Sequence, residues 1–232
     1  MDLIVEGIVQ AFGLILGGDP EVLRVTLLTL LISGSATLFS LVLGIPLGTA
    51  LALARFPGRR FSLSLVNTGM GLPPVVVGLF VTIMLWRGGP FGSLHILYTP
   101  QAMVLAQMVI ATPIVAGLTA AAIQQLNPRL RLQILALGAS QAQMVWLLLR
   151  EAKLPLLAAV MAGFGAVVSE IGASMMVGGN ILGQTRVLTT ATVMETSKGN
   201  FDTAIALSLI LLLLIWLVSF VVTSAQQRGR PR

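Results

Sequence analysis

Five runs of apolar residues, each long enough to cross a bilayer, dominate this chain: roughly residues 23–54, 62–86, 101–124, 154–177 and 203–223. Crossing the hydrocarbon as a helix takes about 20 such residues. No water is available there, so every backbone N–H and C=O must be satisfied within the protein, and a helix does this locally. The other solution, a closed barrel, is built from short strands of alternating polarity, whereas these runs are long and continuous. Composition agrees: 56% of the 232 residues are hydrophobic and 9% are charged, where a soluble domain carries about 25% charged residues. The sequence therefore predicts an all-α polytopic membrane protein with about five transmembrane helices. No linker or low-complexity segment divides it, so residues 1–232 read as a single transmembrane domain.

The 29 residues from Gln125 to Lys153, QLNPRLRLQILALGASQAQMVWLLLREAK, separate the third and fourth runs. Their apolar part, Ile134–Leu149, is too short to span, holds Gln141 and Gln143, and has bases at both ends. Short docking helices outside the hydrocarbon are expected here. Charge supports that placement. With five spans, one side of the membrane receives Arg55, Arg59, Arg60, Arg129, Arg131, Arg150, Lys153, Arg228, Arg230 and Arg232, ten bases against the single acid Glu151. The other side receives four bases and six acids. The positive-inside rule then sets the N-terminus outside and the C-terminus inside. A basic cytoplasmic segment between spans gives a soluble partner a surface from which to push on the membrane domain.

Other function classes fall away. Without cysteine, the chain has no disulfide and no Cys-ligated metal. The net charge of +6 follows membrane topology rather than nucleic-acid binding. There is no GxxxxGK[ST] phosphate loop, no HExxH and no Ser/His/Asp arrangement, so no catalytic or metal-ligating residue is assigned and nucleotide must be held by another chain. His95, the one histidine, reads as a solvated loop residue. The acidic start MDLIVEGIVQ lacks the basic flank of a cleavable signal peptide. Residues 1–20, broken by Gly17-Gly18-Asp19-Pro20, are expected as a short external interfacial helix.

Four features inside or beside the spans could carry function. Glu170 is the one acid within a span. Such residues face a cavity or a partner, so with Ser169 it is either a pathway or gate residue, paired with Arg186 or a facing subunit, or a structural group. Gly178-Gly179-Asn180 follows the fourth span and is either an anion-binding nest of backbone N–H groups, with Thr185 and Arg186 just beyond, or a tight turn. Pro73-Pro74 and Thr112-Pro113 are expected to break spans two and three, and Gly44-Ile45-Pro46 to kink span one. Gly34-Ser35-Ala36 and Gly163/Gly165 are expected to allow close helix packing.

Within the basic segment, Leu135–Ser140 (LALGAS) resembles the coupling loop of binding-protein-dependent ABC transporter permeases. Gly138 matches that loop's glycine, with Leu135, Ala136, Ala139 and Ser140 around it. Leu132 stands where the family usually has Glu, and Leu154-Pro155 comes one helical turn later than the family's Leu-Pro. Ser169–Gly183 (SEIGASMMVGGNILG) and Leu72–Gly78 (LPPVVVG) resemble segments of molybdate and tungstate permeases, and Thr192–Phe201 (TVMETSKGNF) is more similar to the tungstate branch. The resemblance implies a type I ABC importer permease-like fold with cytoplasmic coupling helices, a homodimer in the bacterial inner membrane, and lipid around it. It implies an oxyanion cargo, best matched by tungstate, with molybdate and sulfate as alternatives. The implied partners are an extracytoplasmic oxyanion-binding protein and an ATP-binding subunit that holds ATP and Mg; no cofactor is implied on this chain, and no nucleic acid. Two readings from other classes compete: a proton-coupled carrier that uses Glu170 as its relay, and a passive anchor.

Overall fold

The computed structural model describes residues 2–228, which form α-helices, one 3₁₀ turn and no strand. In chain order the helices are α1 (Asp2–Leu16), α2 (Pro20–Leu53), α3 (Arg59–Met70), α4 (Pro74–Leu85), α5 (Pro100–Gln124), α6 (Pro128–Ala136), α7 (Gln141–Glu151), α8 (Lys153–Val168), α9 (Gly172–Gly178), α10 (Leu188–Lys198) and α11 (Phe201–Arg228). Arg230 and Arg232 of the expected basic face lie outside the described residues.

Three helices, α2, α5 and α11, are each long and apolar enough to span alone. Asp19 starts α2 by accepting the N–H groups of Glu21 and Val22 at 2.9 and 3.0 Å, with Pro20 at the first helical position, where its missing N–H costs nothing. At Gly44-Ile45-Pro46, where a kink is expected, α2 stays helical and continues through Pro46 to Leu53. Helix α5 likewise continues through Pro113. The hydroxyl of Thr112 donates to Met108 O at 2.7 Å beside the bond that Pro113 cannot make. In both helices, packing outweighs the local defect. Gly44 sets the α2–α5 distance, because a Cβ there would sit 2.8 Å from Val115, and Gly48 faces Ala116 and Thr119. Of the glycines expected to allow close packing, Gly163 meets Val115 within this chain, whereas Gly34 and Gly165 have open space beside them.

Two expected spans are broken. Residues 62–86 are α3 and α4, bent by 101° at Gly71-Leu72-Pro73. Pro73 and Pro74 have no N–H to continue α3, and proline pushes the preceding residue out of the helical region. Residues 154–177 are α8 and α9, separated at Ser169-Glu170-Ile171. At the other end of α8, the pair α7 and α8 bends by 72° around Ala152, so α7 leaves the axis of the span.

The core of the helix bundle has two larger parts among the described residues, apart from a small cluster between α6 and α7. Ile32, Val81, Met103, Ile110 and Val177 join α2, α4, α5 and α9. Val25, Phe164, Leu188, Leu207 and Ile210 join α2, α8, α10 and α11. Gln107, fully buried on α5, donates to Ser174 of α9 at 3.2 Å, the kind of polar tie that holds helices where apolar packing gives no preference over lipid. The N-terminal α1 ends at Gly17-Gly18, as the sequence indicates, and lies against α11. A Cβ on Gly7 would reach Ile205 at 2.5 Å, and Gln10 donates to Thr203 at 3.2 Å.

Candidate functional site

The segment between α5 and α8 folds as a helix pair around Gly138. Asn127 caps α6 by accepting the Arg129 N–H at 2.9 Å. At the end of α6, the Gly138 N–H donates to Leu135 O at 3.0 Å and the Ala139 N–H to Ile134 O at 3.3 Å. This is the Schellman pattern, and it places Gly138 in the left-handed region at φ +87°, where glycine carries no Cβ penalty. Ser140 then opens α7 with a reciprocal box: its N–H donates to Gln143 Oε1 at 2.8 Å and its hydroxyl accepts the Gln143 N–H at 3.3 Å. Thus LALGAS encodes a helix stop, a reversal and a helix start in six residues.

Beneath this turn Ile134, Met144 and Leu148 form a small buried cluster, joined by Leu53, Leu130, Leu135 and Ala139. Above it, Leu137 is 88% exposed and Leu132 67%. Trp146 is also exposed, with Arg150 stacked 5.4 Å from its ring centre. Leu137 is thus an apolar side chain held out at the tip of a turn whose backbone the cap fixes. The sequence singles out Leu135, Ala136, Gly138, Ala139 and Ser140; the fold adds the exposure of Leu137, which lies within the same motif.

The second cluster lies at the breaks. The starts of α4 and α9, which follow Pro73-Pro74 and Ser169-Glu170, come together: a Cβ on Gly172 would lie 2.6 Å from Val75 Cγ2. Gly78 of α4 rests on Ala173 of α9. Gly69 of α3 is seated against Pro113 of α5, where a Cβ would be 2.8 Å away. Glu170 is buried, and its carboxylate accepts the Ala173 N–H at 2.8 Å, closing the first turn of α9. Its backbone O accepts from Thr189 at 3.1 Å, tying the break to α10. Ser169, exposed, donates to Gly165 O at 2.8 Å. The expected Glu170–Arg186 pair is not formed: Arg186 reaches Glu21 of α2 at 3.5 Å instead.

Gly178, Gly179 and Asn180 lie at the far end of α9, about 10 Å away along a seven-residue helix. Gly179 and Asn180 are both left-handed, at φ +70° and +51°. The Gly179 N–H donates to Met175 O at 2.9 Å, and Thr185 ties the loop by donating to Gly178 O at 2.6 Å and accepting the Ile181 N–H at 2.9 Å. Here the Gly179 and Ile181 N–H groups and the Gly178 carbonyl serve the helix end and the turn. The loop is fastened to α2 as well, through Arg24 to Gly183 O. Beyond it, the Glu195 carboxylate receives Lys198 Nζ and Asn200 Nδ2, both at 2.8 Å. These bonds, led by Lys198, hold its pKa below the ordinary carboxylate value.

The described chain is a polytopic helical protein with two broken spans and a helix pair turned out from the bundle. The chain belongs to the family of binding-protein-dependent transport system inner membrane components, whose model matches residues 44–232. It is 37% identical over 98% of its length to the tungstate uptake system permease protein TupB of Peptoclostridium acidaminophilum, covering 100% of that protein. It is 35% identical over 95% of its length to the TupB of Campylobacter jejuni, covering 92% of that chain. Its fold matches an inward-facing structure of the MetNI methionine ABC transporter with a TM-score of 0.74 at 21% identity, over 92% of this chain and 99% of that one. The fold is that of type I ABC importer permeases.

Proposed function

We propose that this chain is the permease of an ATP-driven importer that carries tungstate across the bacterial inner membrane. The observation that carries the cargo assignment is the 37% identity to a tungstate permease over 98% of the chain. In this reading residues 1–232 act as one transmembrane domain, two copies form the pore about a two-fold axis, and the basic end faces the cytoplasm. An external binding protein delivers the anion. An ATP-binding subunit, which holds ATP and Mg, seats on the turn formed by Leu135, Ala136, Gly138, Ala139 and Ser140, with Leu137 as its apolar knob. This chain itself performs no chemistry.

The crossing of α4 and α9, with Pro73, Pro74, Ser169 and Glu170 at the breaks, acts as the gate. Short half-helices can rotate about such breaks while the continuous α2 and α5 stay rigid. Glu170 acts there by holding the first turn of α9 in shape. Gly178, Gly179 and Asn180 form the outer hinge of the same half-helix.

Elemental analysis tests the cargo. Cells with and without this chain are fed trace tungstate and molybdate together, with and without excess sulfate. Loss of tungsten alone on deletion is the expected result. Loss of molybdenum, or competition by sulfate, transfers the cargo to that anion, and unchanged metals remove the oxyanion reading.

A further inference from the structure

The last four carbonyls of a helix have no partner within it. At the C-terminus of α2 all four are accounted for. Ala50 O accepts the Ala54 N–H at 2.9 Å. Leu51 O and Ala52 O accept from Arg59 at 2.7 and 3.3 Å. The last, Leu53 O, accepts from Arg131 Nη1 at 3.2 Å. Arg59 is local to α2, but Arg131 is on α6, 78 residues away in sequence. Two cations at this negative helix end are favoured by its dipole. One of them belongs to the segment on which the ATP-binding subunit is proposed to dock.

The opposite end of α2 is fastened to the segment around the gate. Thr29 accepts the Leu188 N–H at 3.0 Å, Arg24 donates to Gly183 O, and Glu21 pairs with Arg186. A single 34-residue helix, about 50 Å long, therefore touches the coupling helices at one end and the α9–α10 connection at the other.

We propose that Arg131 is a positioning residue that latches the coupling helices onto α2, so that α6, α7 and α2 move as one body and displacement of the ATP-binding subunit reaches the α9–α10 segment through α2. Arg59 stabilises the same helix end but carries no link to the coupling helices. This inference rests on the reading of residues 125–153 as the docking surface.

The test uses the whole importer in proteoliposomes: permease, ATP-binding subunit and anion-binding protein. Arg131→Ala is expected to reduce, about tenfold or more, the stimulation of ATP hydrolysis by loaded binding protein, while the ATP-binding subunit still co-purifies. Arg131→Lys, which can still donate to Leu53 O, is expected to restore most of it. Arg59→Ala is expected to lower thermal stability with the stimulation ratio unchanged. A second measurement does not remove the arginine. Cysteines placed at Leu53 and Leu130, in a chain without native cysteine, and bridged by a short bifunctional thiol reagent are expected to leave uptake intact. Normal stimulation in Arg131→Ala, equal loss in Arg59→Ala, or arrest by the cross-link would overturn the latch. Failure of the docking reading has a different signature, in which Gly138→Asp also couples normally.

Discussion

Gly78 sits directly on Ala173: a Cβ on the glycine would lie 2.7 Å from the Ala173 Cα. The contact fixes how closely the half-helices α4 and α9 cross beside the two breaks. A backbone atom cannot swing aside as a side-chain tip can, so overpacking here costs about 1–3 kcal/mol. Gly78→Val is expected to lower the unfolding temperature in detergent and to reduce uptake. A variant with wild-type stability and uptake would show that the crossing is loose.

The carboxylate of Glu170 separates the gate from a proton relay. If it serves to accept the Ala173 N–H, Glu170→Gln keeps an acceptor and is expected to transport near the wild-type rate. Glu170→Ala orphans a buried N–H and is expected to lose about 1–3 kcal/mol of stability, with uptake falling alongside. Loss of uptake in the Gln variant at unchanged stability would give the charge itself a role.

Leu137, 88% exposed at the turn, is expected to be the apolar anchor for the ATP-binding subunit. Leu137→Asp should leave the permease in the membrane at normal levels and abolish co-purification of that subunit. Gly138→Ala should act more mildly, at about 1–2 kcal/mol, because there is room for the methyl group and only the backbone at φ +87° resists it. Undiminished co-purification of the Leu137→Asp variant would move the docking surface elsewhere.

The spans and the basic segment were legible because each rests on local chemistry, apolar length and charge placement, and the turn at Gly138 was legible through the family resemblance of LALGAS. The breaks were half legible. Pro73-Pro74 announces one, but Ser169-Glu170-Ile171 contains no proline, and its interruption is stabilised by contacts from Thr189 and from the Glu170 side chain. Pro113 misled in the opposite sense, since α5, packed on the glycines of α2, continues through it. Arg59 and Arg131 read as topology signals, and their service to the end of α2 is a tertiary fact. For the same reason Arg186 found Glu21 rather than Glu170.

Glu195 gives the connection between α10 and α11 an acid limit. Its folded pKa lies below the ordinary value of 4.5 because Lys198 and then Asn200 bond the charged form. The stabilisation is fully present above that ordinary value and is lost as pH falls through the lower folded one. Thermal unfolding followed from pH 6 down to about pH 3 is expected to show a steeper acid loss in wild type than in Glu195→Gln. Parallel curves would mean that the carboxylate is not linked to folding.

Oxyanion transport by this chain is expected to require ATP hydrolysis by a partner seated on the Gly138 turn. Proteoliposomes containing the permease and the ATP-binding subunit, supplied with tungstate-loaded binding protein outside and ATP inside, test it by elemental measurement of the lumen. Tungsten accumulation that requires ATP and disappears in Gly138→Asp is the predicted result. Accumulation without ATP, driven by a proton gradient and dependent on Glu170, would contradict it.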